Sequence, residues 1–197
     1  MKTTLLFLSV FLAANLFGQS TYFDSGIEHY EQGEYQEAID DYNSAIKNDP
    51  NYADAYYNRG NAYYNLGRHQ EAIDDFNTAI KINPNYSNAY VNRGNAYDEL
   101  GKVQDAIDDY TSAIKINPDD ADAYVNRGLA YNNLGRYQEA IDDNTTAIKM
   151  NPDFALAYVN RGASKLALGI DYCADFKTAC ELGEEIGCQN FKIVNCN

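Results

Sequence analysis

Four kinds of side chain in this sequence recur in patterns that could do chemistry. Four cysteines, Cys173, Cys180, Cys188 and Cys196, fall within the last twenty-five residues. Six, seven and seven residues separate them, with no Cys-x-x-Cys knuckle, which fits disulfides better than a zinc site. Arginine recurs as Arg59, Arg93, Arg127 and Arg161, each preceded by an asparagine: Asn58, Asn92, Asn126 and Asn160. Acid pairs recur as Asp40-Asp41, Asp74-Asp75, Asp108-Asp109 and Asp142-Asp143. The two histidines, His29 and His69, occupy positions that read as packing slots. No nucleophile motif, phosphate loop or metal-binding helix signature is present. Asp119-Asp120-Ala121-Asp122 lacks the spacing of a calcium loop and suits a helix N-terminus instead. The expectation is a chain with no catalytic residue, no metal and no cofactor.

These residues are held in place by a repeat. Gly60, Gly94, Gly128 and Gly162 stand 34 residues apart, as do Gly67, Gly101, Gly135 and Gly169, and Pro50, Pro84, Pro118 and Pro152. A fixed period of this length means stacked supersecondary units, because one unit cannot bury its apolar face alone. Each unit reads as two amphipathic helices. Ala55, Tyr56, Ala62, Tyr63 and Leu66 mark the first, and Gly67 suits its left-handed C-cap. Ala72, Ile73, Phe76, Ala79 and Ile80 mark the second, which Pro84 stops. The recurring glycine inside the first helix costs about 1 kcal/mol against alanine, so a neighbour must approach the backbone there.

The pattern resembles the tetratricopeptide repeat: an aromatic, Gly-x-x-Tyr, a turn glycine, Ala-x-x-x-aromatic-x-x-Ala and a closing proline. Five units fit, 19–52, 53–86, 87–120, 121–154 and 155–188, followed by a C-terminal cap at 189–197. The resemblance implies an all-α solenoid of helix-turn-helix repeats and a capping helix, coiled as a right-handed superhelix. Its concave groove would bind a peptide or protein. The groove-facing slots hold Asn58, Asn92, Asn126 and Asn160, with Tyr57, Asn61, Tyr64 and Asn95 around them. A carboxamide both donates and accepts, so such a row could hold an extended peptide backbone. The row is similar to the asparagine ladder of O-linked GlcNAc transferase. The lysine slots of the carboxylate clamp hold Phe23, Tyr57, Val91, Val125 and Val159, so chaperone tails are not expected.

The arginines occupy a slot where the family usually places leucine, and a buried arginine needs a partner. The first unit lacks the arginine, having Ser25, and the last lacks the acid pair, having Phe176-Lys177. That asymmetry predicts a structural ladder between repeats: Arg59 with Asp41, Arg93 with Asp75, Arg127 with Asp109 and Arg161 with Asp143. The second aspartate of each pair is expected at the edge of the packed stripe, the first toward solvent.

Both ends differ from the repeats. Met1-Lys2-Thr3-Thr4 followed by the apolar run Leu5 to Phe17 reads as a signal peptide over 1–18, without a lipoprotein cysteine. The expected location is therefore secreted or periplasmic. The remainder, about 179 residues, is long enough to bury about 70% of its unfolded surface. At the other end, the even cysteine count fits an oxidising compartment. Cys173 and Cys180 would lie about 10.5 Å apart along one helix, too far for a disulfide. A turn at Gly183 would nest the pairs as Cys180–Cys188 and Cys173–Cys196.

A formal charge of −14 repels phosphate backbones and excludes nucleic acid as a natural partner. The expected ligand is a protein or an extended peptide, neutral or basic. Two alternatives remain: a glycan or peptidoglycan held by the groove tyrosines, and a weak β-lactam-type hydrolase, since ACELGEEIGC resembles secreted cysteine-rich repeat proteins.

Overall fold

The structure, a computed structural model, describes residues 21–193 and residue 196. The expected signal segment lies outside the described residues. Among the described residues there are eleven α-helices and no strands. They are α1 (21–31), α2 (Tyr35–Asn48), α3 (Ala53–Asn65), α4 (His69–Ile82), α5 (Ser87–Glu99), α6 (Val103–Ile116), α7 (Ala121–Asn133), α8 (Tyr137–Met150), α9 (Ala155–Ala167), α10 (Cys173–Glu181) and α11 (Glu185–Ile193). The chain divides into an N-terminal unit reaching Ala96 and a C-terminal unit from Tyr97, the boundary falling inside α5.

Local chemistry sets where these helices end. Gly67 adopts φ 73°, and the amides of Gly67 and Arg68 bond back to the carbonyls of Tyr64 and Tyr63, both at 2.9 Å. That is the Schellman closure, which needs a left-handed residue and so favours glycine. The second helices stop where the next residue turns extended: Asn83, at φ −124° and ψ 92°, precedes Pro84. Lys47, Lys81, Lys115 and Lys149 sit in last turns, where they complement the helix dipole.

In the N-terminal unit α2 packs on α3 and α3 on α4. The core there is Ala38, Ile39, Tyr42, Ala45, Ala55, Ala62, Ala72, Ile73, Phe76 and Ala79, all within 2% exposure. Gly60 shows why a glycine recurs in the first helix. A Cβ there would lie 2.7 Å from the Phe76 ring of the paired helix. In the C-terminal unit α6, α7, α8, α9, α10 and α11 pack in succession, and α11 also reaches α9. Asn144 fills the slot held by Tyr42, Phe76 and Tyr110 elsewhere. It is fully buried, donates to the Ala140 carbonyl at 2.8 Å and leaves its own oxygen without a partner.

The C-terminal hairpin of α10 and α11 carries Cys173, Cys180 and Cys188, and Cys196 follows in the chain. Cys173 pairs with Cys196 at a Cα separation of 5.4 Å, and Cys180 with Cys188 at 4.4 Å, a nested arrangement. The last of these helices, α11, begins at Glu185, four residues before position 189.

Candidate binding cleft

The arginine row is built, but not with the partners expected. Arg59 projects from α3 onto Asp75 of α4, through Nε to Oδ2 at 2.7 Å and Nη2 to Oδ1 at 2.6 Å. Arg127 grips Asp143 in the same way, at 2.7 and 2.8 Å. Both pairs lie within one helix pair. Asp75 is therefore held by Arg59 rather than Arg93, and Asp143 by Arg127 rather than Arg161. Arg161 takes Asp175 at 3.1 and 2.6 Å, and Lys165 reaches the same carboxylate at 2.8 Å.

The link between helix pairs exists, made by a neutral group. The Nη1 of Arg59 donates to Asn43 on α2, and that of Arg93 to Asn77 on α4. In the C-terminal unit Arg127 donates to Thr111 at 3.0 Å and Arg161 to Thr145 at 3.2 Å. α3 packs between α2 and α4, and α7 between α6 and α8. Arg59 and Arg127 each reach sixteen residues forward for a carboxylate and sixteen back for an amide or hydroxyl, whereas Arg161 reaches fourteen forward and sixteen back. The ladder differs from the expected one because the last unit breaks the period. Only seven residues lead from Gly169 to Phe176, against nine from Gly67 to Phe76, so the acid moves to Asp175. The signal was the acid immediately before the aromatic, as in Asp41-Tyr42, Asp75-Phe76 and Asp175-Phe176.

Three of the second aspartates are buried, Asp75 and Asp109 to 5% and Asp143 to 7% exposure, Asp41 is half-buried, and the first aspartates are exposed. Burial raises the Asp75 pKa, and the guanidinium of Arg59 offsets this only in part. The Arg59 pKa is raised as well: desolvation opposes its charge, and Asp75 more than compensates. Tyr56 and Tyr63 flank that guanidinium at 5.3 and 5.9 Å.

Asp41 has no arginine. Ser25 Oγ donates to its Oδ2 at 2.6 Å, and His29 Nδ1 meets the same oxygen at 2.8 Å. His29 thus does more than pack. A serine, a histidine and an aspartate meet here in the wrong order for nucleophilic catalysis, because the hydroxyl donates to the carboxylate instead of the imidazole. Among the described residues no group of His, Cys, Asp or Glu is arranged to hold a metal.

The open site lies in the N-terminal unit. A cleft of about 360 Å³ is lined by Tyr30 of α1, Tyr57, Asn61, Tyr64 and Asn65 of α3, and Asn92 and Asn95 of α5. Every lining side chain is uncharged and polar. Asn92 Nδ2 donates to Tyr57 Oη at 3.0 Å and to Asn61 Oδ1 at 2.7 Å. Asn65 Nδ2 donates to Tyr30 Oη at 2.8 Å and to the Asn61 carbonyl at 2.9 Å. Burial raises the Tyr30 pKa, which keeps its hydroxyl protonated. The Tyr57 ring packs on Phe76 and Tyr86, with centroids 5.9 and 4.8 Å away, so much of its surface is covered.

Of the expected groove residues, Tyr57, Asn61, Tyr64, Asn92 and Asn95 meet in this cleft, and Asn58, half-buried, is not among its lining residues. Asn126 belongs to the C-terminal unit and is half-buried. Asn160 does not present its carboxamide: it is 6% exposed, with its Nδ2 unpartnered, next to Ser164 and Asn132. Asn65 was missed. Its position four residues after Asn61, on the same helix face, was the available signal.

Models of the tetratricopeptide repeat match residues 23–87, 76–108 and 121–154, and a TPR-repeat model matches 94–135. The chain carries tetratricopeptide repeats. A crystal structure of MamA protein superposes with a TM-score of 0.77 at 29% identity, covering 85% of this chain and 93% of that one. MamA from Desulfovibrio magneticus RS-1 gives 0.73 at 21% identity, covering 90% and 96%. YrrB, described as a TPR protein with an unusual peptide-binding site, gives 0.74 at 21% identity, covering 87% and 90%. Comparison with curated protein sequences finds no match.

Proposed function

We propose that this tetratricopeptide-repeat protein is a binding scaffold or adaptor that holds an extended peptide or protein segment, with the N-terminal cleft as its main contact. One observation carries the reading: seven uncharged side chains able to donate or accept hydrogen bonds converge on one cleft. The absence of charge among them favours a neutral contact segment. Tetratricopeptide folds serve this purpose elsewhere, and YrrB is described as having a peptide-binding site. The glycan alternative is weaker because the Tyr57 ring, the natural stacking platform, is already packed against Phe76 and Tyr86. The hydrolase alternative lacks a hydroxyl–imidazole contact, Ser25 being turned to Asp41.

We place the protein in the bacterial envelope or exterior. The two cysteine pairs support this, because such bridges persist in oxidising compartments. No described helix is long and apolar enough to cross a membrane. Incubating the purified protein with peptide and glycan arrays tests the reading. Binding to peptides rich in uncharged polar residues is expected; binding to glycans alone would overturn it.

A further inference from the structure

We propose that the N-terminal cleft is a specificity pocket for a side-chain carboxamide, an asparagine or glutamine of the bound segment. This rests on the peptide-binding reading above. The hydrogen bonds already made inside the cleft decide which groups remain for a ligand. Both N–H groups of Asn92 are committed, to Tyr57 and Asn61, and both of Asn65, to Tyr30 and the Asn61 carbonyl. Their side-chain oxygens are left as acceptors. The Tyr57 hydroxyl accepts from Asn92, so its own proton remains to donate. Asn61 accepts through Oδ1 and keeps its amide protons. The wall therefore offers donors from Tyr57 and Asn61 and acceptors from Asn65 and Asn92.

A primary amide is the side chain that answers both sets. Its carbonyl accepts from the phenol and the Asn61 amide, and its NH2 donates to the two oxygens. A carboxylate only accepts and would strand Asn65 and Asn92, with no cation in the cleft and a chain charge of −14. An ammonium only donates and would strand the phenol. An aliphatic side chain leaves every group unmet, which is where hydrogen-bonding pockets discriminate most. A backbone amide is the other source of this chemistry, but the network is local. The Tyr57 phenol occurs in this repeat alone, its slot becoming Val91, Val125 and Val159, while the slot of Asn61 is again asparagine at Asn95 before becoming Leu129 and Ala163. A single site of this kind reads one group rather than tracking a chain.

The test is a selection of random twelve-residue displayed peptides on the purified protein, followed by anisotropy titration of the selected sequences. Asparagine or glutamine should concentrate at one position. Changing it to glutamate or methionine should weaken binding at least about tenfold. In Tyr57→Phe, which keeps the packed ring, that discrimination should fall below about threefold with an unchanged urea midpoint. Selected peptides without amide enrichment, or the same discrimination in Tyr57→Phe, overturn the pocket and leave the peptide-binding reading standing. Failure to select any peptide, or binding of chitotriose alone, overturns both.

Discussion

Removing Arg59 separates the observed pairing from the alternative drawn from sequence. Arg59 makes two hydrogen bonds to Asp75 and one to Asn43, and the Asp75 side chain is 8% exposed. In Arg59→Ala that carboxylate stays buried without its cation. Breaking a buried pair from one side costs about 3–5 kcal/mol, and the 17% exposure of the Arg59 side chain puts the expectation near 3 kcal/mol. Replacing Asp75 by Asn in the same background should recover about 1–2 kcal/mol, since the stranded group becomes neutral. The pH dependence has a definite sign. The raised Asp75 pKa means the folded state keeps a proton that the unfolded chain has released, so this group's contribution falls as pH rises through that interval. Without Arg59 the interval extends upward, and the variant's deficit should be largest at neutral pH and shrink on acidification. Urea titrations followed by far-UV circular dichroism at several pH values supply the numbers. A double-mutant cycle should show coupling above about 1 kcal/mol for Arg59 with Asp75 and below about 0.5 for Arg59 with Asp41. Strong coupling to Asp41, or a deficit independent of pH, would refute the reasoning.

Other consequences can be checked on the same protein. Gly60→Ala should destabilise by about 1–3 kcal/mol in the urea assay despite alanine's better helix propensity, because its Cβ would meet the Phe76 ring at 2.7 Å. Asn144→Phe should raise stability by about 1–2 kcal/mol, since it removes a buried oxygen with no partner and restores the aromatic used elsewhere; a loss would show that the slot has closed around the amide. Non-reducing peptide mapping should yield Cys173–Cys196 and Cys180–Cys188 peptides, and each bridge removed should cost about 2–4 kcal/mol.

The helices were legible because their determinants are local and repeated. Gly67 ends α3 through its own φ, and Pro84 follows the end of α4, whatever lies nearby. The buried face was legible too, since Ala72, Ile73, Phe76 and Ala79 recur at helical spacing. The arginine partners were not, because α3 and α7 touch second helices on both sides, with one aspartate sixteen residues ahead and another eighteen behind, and the period alone cannot choose between them. The ends of the array were to decide it, and the two residues missing before Phe176 gave the wrong answer. The asparagine row shows another limit. Identical slots produce an engaged, half-buried Asn92 and a buried Asn160, since exposure depends on neighbours such as Tyr57 or Ser164 that the period does not conserve.

The central claim is that the Asn and Tyr cleft of the N-terminal unit is where the ligand sits. Titration calorimetry of an array-selected peptide against the wild type, Asn61→Ala and Asn92→Ala tests it most directly. Each substitution removes ligand-facing or network groups from the cleft and should weaken binding by about 1–3 kcal/mol, with little change in the unfolding midpoint because the cleft is open to solvent. Unchanged affinity in both variants would place the ligand elsewhere and contradict the account.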